Sequence, residues 1–337
     1  MAVGKELGVD LGTANTLIYL REKGIIMKAP SIVAVERATQ NVVAVGSEAK
    51  RMVGKTPSTI VAHAPIQNGV IADFDVTSLM LHQFFTKLDV TSLFSRPSVV
   101  VSTPYGVTEV EKRAVEDAFY EAGARHVALI DEPLPAAIGA GLRIGGARGH
   151  MIVDIGAGTA EVSVISLGGI VSSNVLRVAG DEFDEAIIQY LKAVRHILIG
   201  PISAERLKHT IGSAHPTTDS GHMEVAGRSL RTGRAMTLTV SSGEIREAIG
   251  EELRLIVGVI KDALERTPPE LSADIYDYGI LLTGGMAHLP GIADYISEHI
   301  RVRVNTARRP LECVCRGIGQ IVESASSMED VLRYRSR

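Results

Sequence analysis

Two short stretches hold the residues with the most chemistry to offer: Leu7 to Thr16 (L-G-V-D-L-G-T-A-N-T) and Ile152 to Glu161 (I-V-D-I-G-A-G-T-A-E). In each, an apolar run reads as a buried strand, an aspartate ends it, and a glycine-rich stretch turns the chain back into another apolar run. Glycine has no Cβ. A turn built from Gly12, Thr13, Ala14 and Asn15, or from Gly156, Ala157, Gly158, Thr159 and Ala160, can therefore take positive φ and bring its N–H groups close to phosphate oxygens. Asp10 and Asp154, one per copy, cannot favourably touch phosphate directly. A hard cation such as Mg²⁺, keeping most of its waters, is the bridge such carboxylates require. A lone D-x-G-x-G-T would read as an ordinary turn after a strand. Two copies in one chain predict one nucleotide clamped between two halves.

A third element stands at Gly279 to Gly291 (G-I-L-L-T-G-G-M-A-H-L-P-G), where a buried strand runs into Gly284 and Gly285, then Met286, Ala287 and a helical stretch. Bare backbone there gives a nucleoside a surface to lie against. Taken in order, the three elements resemble the phosphate and adenosine motifs of the actin, sugar kinase and heat-shock chaperone ATPase superfamily.

The 337-residue chain is 45% apolar and 22% charged, enough for two α/β cores and without the bias of a disordered or collagen-like sequence. A formal charge of −4 and the absence of tryptophan argue against a nucleic-acid binder, which wants a basic face and aromatic stacking platforms. No apolar run reaches the roughly 18 residues of a membrane span, and Met1 to Leu7 lacks the basic and apolar regions of a signal peptide. A cytoplasmic protein is expected. Cys313 and Cys315 have no second pair to complete a zinc site and read as reduced core thiols.

Val99 to Ser102 reads as a strand, Thr108 to Ala122 as a helix with Val110, Ala114, Val115, Ala118 and Phe119 on one face, and Val127 to Ile130 as the next strand. This alternation predicts a mixed, largely parallel sheet with helices on its faces. Pro30 to Ile60 reads as short strands around a polar turn at Arg37 to Asn41, a small subdomain inserted into the first half. Asp181 to Gly243 interrupts the second half, with helical stretches followed by strand-like Met223 to Ala226 and Met236 to Val240. The polar Ala214 to Gly221 between them reads as a mobile loop. Ala49 to Thr56 (A-K-R-M-V-G-K-T) satisfies a permissive Walker A pattern, but its middle is K-R-M-V and Pro57 follows at once. It reads as a surface loop.

Six further segments narrow the resemblance: G-V-I-A-D-F-D-V-T (Gly69 to Thr77), T-E-V-E-K-R-A-V (Thr108 to Val115), E-P-L-P-A-A-I-G-A-G (Glu132 to Gly141), I-S-L-G-G-I-V (Ile165 to Val171), A-G-D-E-F-D-E-A-I (Ala179 to Ile187) and R-T-P-P-E-L (Arg266 to Leu271). Together they resemble the MreB family of bacterial actin homologues, essentially from Leu7 to Val322. The resemblance implies an α/β, actin-like ATPase fold of two related domains, each with an inserted smaller subdomain, and ATP or ADP with Mg²⁺ in the cleft between them. Residues 1–32, 61–145 and 311–337 would form the first large subdomain and 33–60 its insertion. Residues 146–180 and 244–310 would form the second, with 181–243 inserted. It also implies self-assembly into protofilaments and paired filaments, attachment to the inner face of the cytoplasmic membrane, and membrane-embedded cell-wall elongation proteins such as RodZ as partners.

By similarity Glu132 orients or activates the water that attacks the γ-phosphate, and Thr159 helps hold it. Phosphoryl transfer needs mainly positioning and charge stabilisation, which a carboxylate and a hydroxyl beside an in-line water can supply. Read from the residues alone, Glu132 before Pro133 equally opens a helix, with proline at the first position and a carboxylate suited to the dipole. Glu205, Arg206 and Lys208, on a predicted helix, resemble the family's residues near the ribose and adenine. An exposed ion pair at helical spacing is the other reading.

Ala157 stands where the family usually has glycine, Ala160 where it has a second threonine and Met286 where a third glycine is common. Gly200-Pro201-Ile202-Ser203 replaces a usual Gly-Glu-Arg-Thr, and Ala64, Gln67 and Asn68 replace typically charged residues. These departures suggest a divergent or paralogous member and a slow ATPase. A nucleotide-gated scaffold with little hydrolysis is the alternative, and a small-molecule kinase of the same fold a more distant one. Leu93 and Phe94, two large apolar residues on a predicted exposed turn, fall where the family carries its membrane-inserting loop; folding back onto the core is the competing reading.

Overall fold

The computed structural model describes residues 5–91 and 96–325. The chain divides into two compact units, one of Met1–Arg148, Ile165–Val175 and Leu311–Arg337, the other of Gly149–Val164 and Leu176–Pro310.

In the first unit the strands β1 (Glu6–Leu11), β2 (Asn15–Leu20) and β3 (Gly24–Pro30) form an antiparallel meander. A small three-stranded sheet follows, made by β4 (Val33–Glu36), β5 (Val42–Val45) and β6 (Ile60–His63), with α1 (Ser47–Met52) after β5. A two-residue pairing of β7 (Ile66–Gln67) with β8 (Val70–Ile71) leads into α2 (Phe74–Lys87), whose first turn is capped by Asp73 accepting from the Val76 N–H. The strands β9 (Ser98–Thr103) and β10 (His126–Asp131) then add in parallel to β1, joined by α3 (Glu109–Glu121). A reciprocal cap between Thr108 and Glu111 starts α3. The run Val99, Val100, Val101 is buried on both faces, as parallel strands covered by helices require. One core gathers Leu7, Val9, Met80, Phe84, Phe85 and Phe119. After β10 comes α4 (Pro133–Gly139).

The second unit opens with β11 (His150–Ile155) and β12 (Ala160–Ser166); β13 (Gly169–Leu176) and α5 (Gly180–Val194) follow in the chain. Next come β14 (Ile197–Leu198), α6 (Pro201–Ile211), the hairpin β15 (His222–Ser229) and β16 (Ala235–Ser241), then α7 (Ser242–Ala248), α8 (Gly250–Arg266) and α9 (Pro269–Tyr278). The chain returns to the sheet with β17 (Ile280–Thr283), crosses through α10 (Ile292–Ile300) to β18 (Val304–Thr306) and ends its described part with α11 (Cys313–Ser324).

The strand orders β3-β2-β1-β9-β10 and β13-β12-β11-β17-β18 are the same order written twice. In both, the first hairpin strand pairs in parallel with a later one (β1 with β9, β11 with β17), and a helix leads to the outermost strand. The repetition seen in the two Asp-Gly hairpins thus extends to whole sheets.

Three local expectations are corrected. Val110 is 79% exposed, whereas Val115, Ala118 and Phe119 are buried; it lies in the first turn of α3, about 140° around the helix from Val115 at 100° per residue. Ala49 to Thr56 is not all loop, since α1 runs to Met52 before a turn with Gly54 at φ 72°. The glycine therefore follows the helix, the reverse of a phosphate loop. Ala214 to Gly221 is pinned rather than loose. Ser213 Oγ bonds the His215 carbonyl and Thr218 Oγ1, Arg246 grips Asp219 through two bonds of 3.1 Å, and His215 Nε2 meets Glu298 at 3.2 Å. Polar side chains that find partners across the fold order a segment that composition alone makes look free.

Candidate functional site

The two hairpins are held by the same internal bond. Gly12 N–H donates to the Asn15 carbonyl at 3.1 Å, and Gly156 N–H to the Thr159 carbonyl at 2.8 Å. Neither glycine takes the positive φ expected of it. Gly12 is required for closeness, because a Cβ there would stand 2.7 Å from the Asn15 oxygen; at Gly156 the distance is an ordinary 3.4 Å.

In both turns the carbonyl oxygens are taken up by donors of the protein itself. Ser31 donates through Oγ to Gly12 O at 2.7 Å and through its N–H to Ala14 O at 2.9 Å. In the second hairpin the first amides of α5 do the same work, Gly180 N–H to Gly156 O at 3.2 Å and Asp181 N–H to Ala157 O at 2.8 Å. Neutralising the carbonyl dipoles from behind is what a turn needs if its amide side is to favour an anion. Thr13 Oγ1 accepts from the Gly69 N–H at 3.1 Å, which leaves the hydroxyl proton to donate.

Each hairpin is preceded by its aspartate. Asp154 is buried and burial lifts its carboxyl to about 6, against the lowering effect of the Thr283 hydroxyl, which donates to Oδ2 at 2.6 Å. A cation beside the other oxygen would offset that desolvation. Asp10 is half-buried, and its charge, after burial itself, pushes the Cys315 thiol upward. Both cysteines are buried and neither is in a disulfide, as the sequence suggests. Among the described residues no group of three or more His, Cys, Asp or Glu gathers to hold a metal. A single aspartate at each hairpin does not make an all-protein cage and suits only a cation that keeps most of its waters, as Mg²⁺ does.

Gly284, at φ 85°, follows β17; a Cβ there would fall 2.3 Å from the Ile155 carbonyl and 2.6 Å from Asp154 Oδ1. Gly285, Met286 and Ala287 make a short 3-10 turn, with the Met286 and Ala287 side chains in the core of the second unit. Ala160 is also in that core, while Ala157 and Thr159 are half-buried.

Glu132 leads into α4 with Pro133 at the first helical position, and its side chain makes no capping bond to the helix. Its N–H donates to the Thr103 carbonyl at 2.9 Å, fixing it at the end of the parallel strands. On α6, Glu205 is half-buried and Arg206 exposed. Lys208 is buried; its ammonium donates to Gly180 O at 2.5 Å and pairs with Asp184 at 2.9 Å. Lys208 is thus tied to α5 rather than lying exposed on α6. Leu93 and Phe94 lie outside the described residues.

A family model described as MreB/Mbl protein matches residues 4–330. The chain belongs to the MreB/Mbl family. The cell shape-determining protein Mbl of Bacillus cereus is 46% identical over 320 residues, covering 95% of this chain and 96% of the relative. The cell shape-determining protein MreB of Escherichia coli is 48% identical over 324 residues, 94% of this chain and 93% of the relative. The crystal structure of MreB 5 of Spiroplasma citri bound to AMPPNP matches with a TM-score of 0.90 at 35% identity, over 94% of this chain and 95% of that one. The fold is that of the actin-like ATPases.

Sequence reading missed Ser31 and Thr283, which hold the hairpin and the buried carboxylate. Ser31 carries no local signal, since it acts from the end of another strand. Thr283 had one: laying the two halves in register puts a hydroxyl residue beside each aspartate.

Proposed function

We propose that this protein is a filament-forming bacterial actin homologue that binds Mg²⁺ with ATP through its two hairpins and hydrolyses it slowly. It assembles on the inner face of the cell membrane and directs cell-wall synthesis in rod-shaped growth. The observation that carries the reading is the duplicated hairpin, with the same internal bond in both copies and protein donors behind carbonyls of each. Relatives named cell shape-determining proteins and a relative crystallised with AMPPNP support it.

In this reading the amides of Gly12 to Asn15 and of Gly156 to Thr159 hold phosphate oxygens, with Asp10 and Asp154 facing the waters of the ion. Mg²⁺, when bound, neutralises phosphate charge. Glu132 orients or activates the attacking water and Thr159 helps hold it. Gly284, Gly285, Met286 and Ala287 offer backbone to the nucleoside, and Glu205, Arg206 and Lys208 stand near it. Residues 33–60 and 181–243 act as the two small subdomains. Leu93 and Phe94 serve as the lipid contact, and membrane-embedded elongation proteins such as RodZ as partners.

A nucleotide-gated scaffold is the second reading. It is favoured by Ala160, whose methyl is turned into the core where a second hydroxyl would otherwise stand. ATP-dependent pelleting with phosphate release measured on the same sample separates the two. Asp10→Lys with Asp154→Lys should abolish nucleotide-dependent pelleting. Glu132→Ala should pellet like the parent, release phosphate more slowly and persist longer as polymer. Unchanged turnover in Glu132→Ala would leave Glu132 a helix-opening residue and favour the scaffold.

A further inference from the structure

Each sheet sets a hydroxyl residue beside its aspartate. In the second unit Asp154 and Thr283 are direct partners across β11 and β17, and the Thr283 hydroxyl holds Asp154 Oδ2 at 2.6 Å with both side chains buried. The other oxygen, Oδ1, is bordered by Gly284, where any Cβ would come within 2.6 Å of it. One oxygen is therefore anchored, and the space beside the other is kept clear by glycine.

In the first unit β1 and β9 run in parallel with Gly8 beside Val100 and Val9 beside Val101. One step further along both strands stand Asp10 and Ser102. Since β1 and β9 hold the places of β11 and β17 in the repeated strand order, Ser102 occupies the position of Thr283. Residues side by side on parallel strands send their side chains to one face. Gly8, two residues before Asp10, backs onto Ile318 of α11, and the charge of Asp10 is felt by Cys315 of that helix. Ser102 is only 6% exposed, and its Oγ has no hydrogen-bond partner. A buried hydroxyl without a partner is costly and uncommon. It suits a group whose partner arrives with a ligand.

We propose that Ser102 and Thr283 are a matched pair of positioning residues for the hydrated Mg²⁺ of the nucleotide. Thr283 fixes the Asp154 carboxylate so that Oδ1 meets the water shell, and Ser102 donates to a water of that shell shared with Asp10. The inference rests on the nucleotide reading given above and adds to it two residues that neither hairpin contains. Partners that orient the groups facing a metal typically set its affinity by about ten-fold to a hundred-fold.

The test measures affinity for a fluorescent ATP analogue across a Mg²⁺ titration and in EDTA, with ligand-free melting curves, for the parent, Thr283→Val, Thr283→Ser, Ser102→Ala and Ser102→Thr. Thr283→Val should raise the Mg²⁺ needed for half-maximal binding by about ten-fold and leave affinity in EDTA unchanged, and Thr283→Ser should restore the parent value. Ser102→Ala should shift the Mg²⁺ requirement in the same direction without lowering the ligand-free Tm, because no bond is lost, and Ser102→Thr should retain it. If Thr283→Val does not fold, Ser102→Ala against Ser102→Thr decides. An unchanged Mg²⁺ requirement, or a loss of equal size in EDTA, overturns the positioning role alone. A parent that binds the analogue equally with and without Mg²⁺ overturns the metal reading and this inference with it.

Discussion

Lys208 has little access to water, and the residue it meets is a carboxyl that would rather be neutral. Burial lifts Asp184 from 3.8 to about 6, more than the attraction of the Lys208 ammonium lowers it; Glu205 and Asp181 push the same way as burial. The folded state therefore holds the Asp184 proton more tightly than the unfolded chain does. That contribution is full below about pH 4, declines as the pH rises through about 6, and is absent above it. A shift of this size corresponds to about 3 kcal/mol. Asp184→Asn should accordingly flatten the fall in unfolding free energy between about pH 4 and pH 6, measured by urea unfolding of parent and variant; parallel curves would mean that Asp184 stays ionised beside Lys208. None of this is legible in the sequence. Asp184 and Lys208 look like ordinary polar positions on two helices, and only packing of α5 against α6 makes them partners. Gly12 shows the opposite limit: its type was legible, its reason was not, because closeness to Asn15 rather than positive φ is what excludes a side chain.

At the scale of elements, the closest packing described is between α4 and α11. A Cβ on Gly139 would lie 1.8 Å from the Cys313 carbonyl, and one on Gly317 would lie 1.8 Å from the Pro135 carbonyl. The obstructing atoms are backbone, so neither site can accept even a methyl without moving a helix. Gly317→Ala should cost about 3 kcal/mol, read as a lower denaturation midpoint. Because Glu132 leads directly into α4, the substitution should also slow phosphate release in whatever fraction stays folded. A variant as stable as the parent would show that the two helices slide apart easily. The hairpin strands, β9, β10 and α3 were all legible, since each is a run of apolar residues at one clear period between glycine or polar breaks. The helix crossing was not. Gly317 and Gly319 sit in an apolar stretch whose pattern says only that it is buried, and nothing in it tells which backbone it must touch.

For the whole molecule, the repeated sheet order follows from what the repeated hairpins already announce, and the MreB/Mbl family match from segments spread along the chain. In the proposed function, membrane attachment would be a property of the assembled polymer. Leu93 and Phe94 would each contribute about 1.5 to 3 kcal/mol on entering lipid, too little for one subunit and enough when a filament repeats it. Changing both to Ser should abolish ATP-dependent co-sedimentation with liposomes while leaving the melting curve unchanged. Parent-like binding, or unfolding instead, would remove the pair from the membrane contact. The division of the chain bears on its synthesis too. The first unit draws on three separate stretches, and the last of them carries α11, which covers Gly8 and Tyr19. On the ribosome β1 and β2 emerge before the second unit, and the helix that shields them emerges only after that unit has been translated. Until then the face of β1 and β2 that α11 covers in the finished fold would lack that cover. Two strands that precede the second unit in the chain are completed by a helix that follows it.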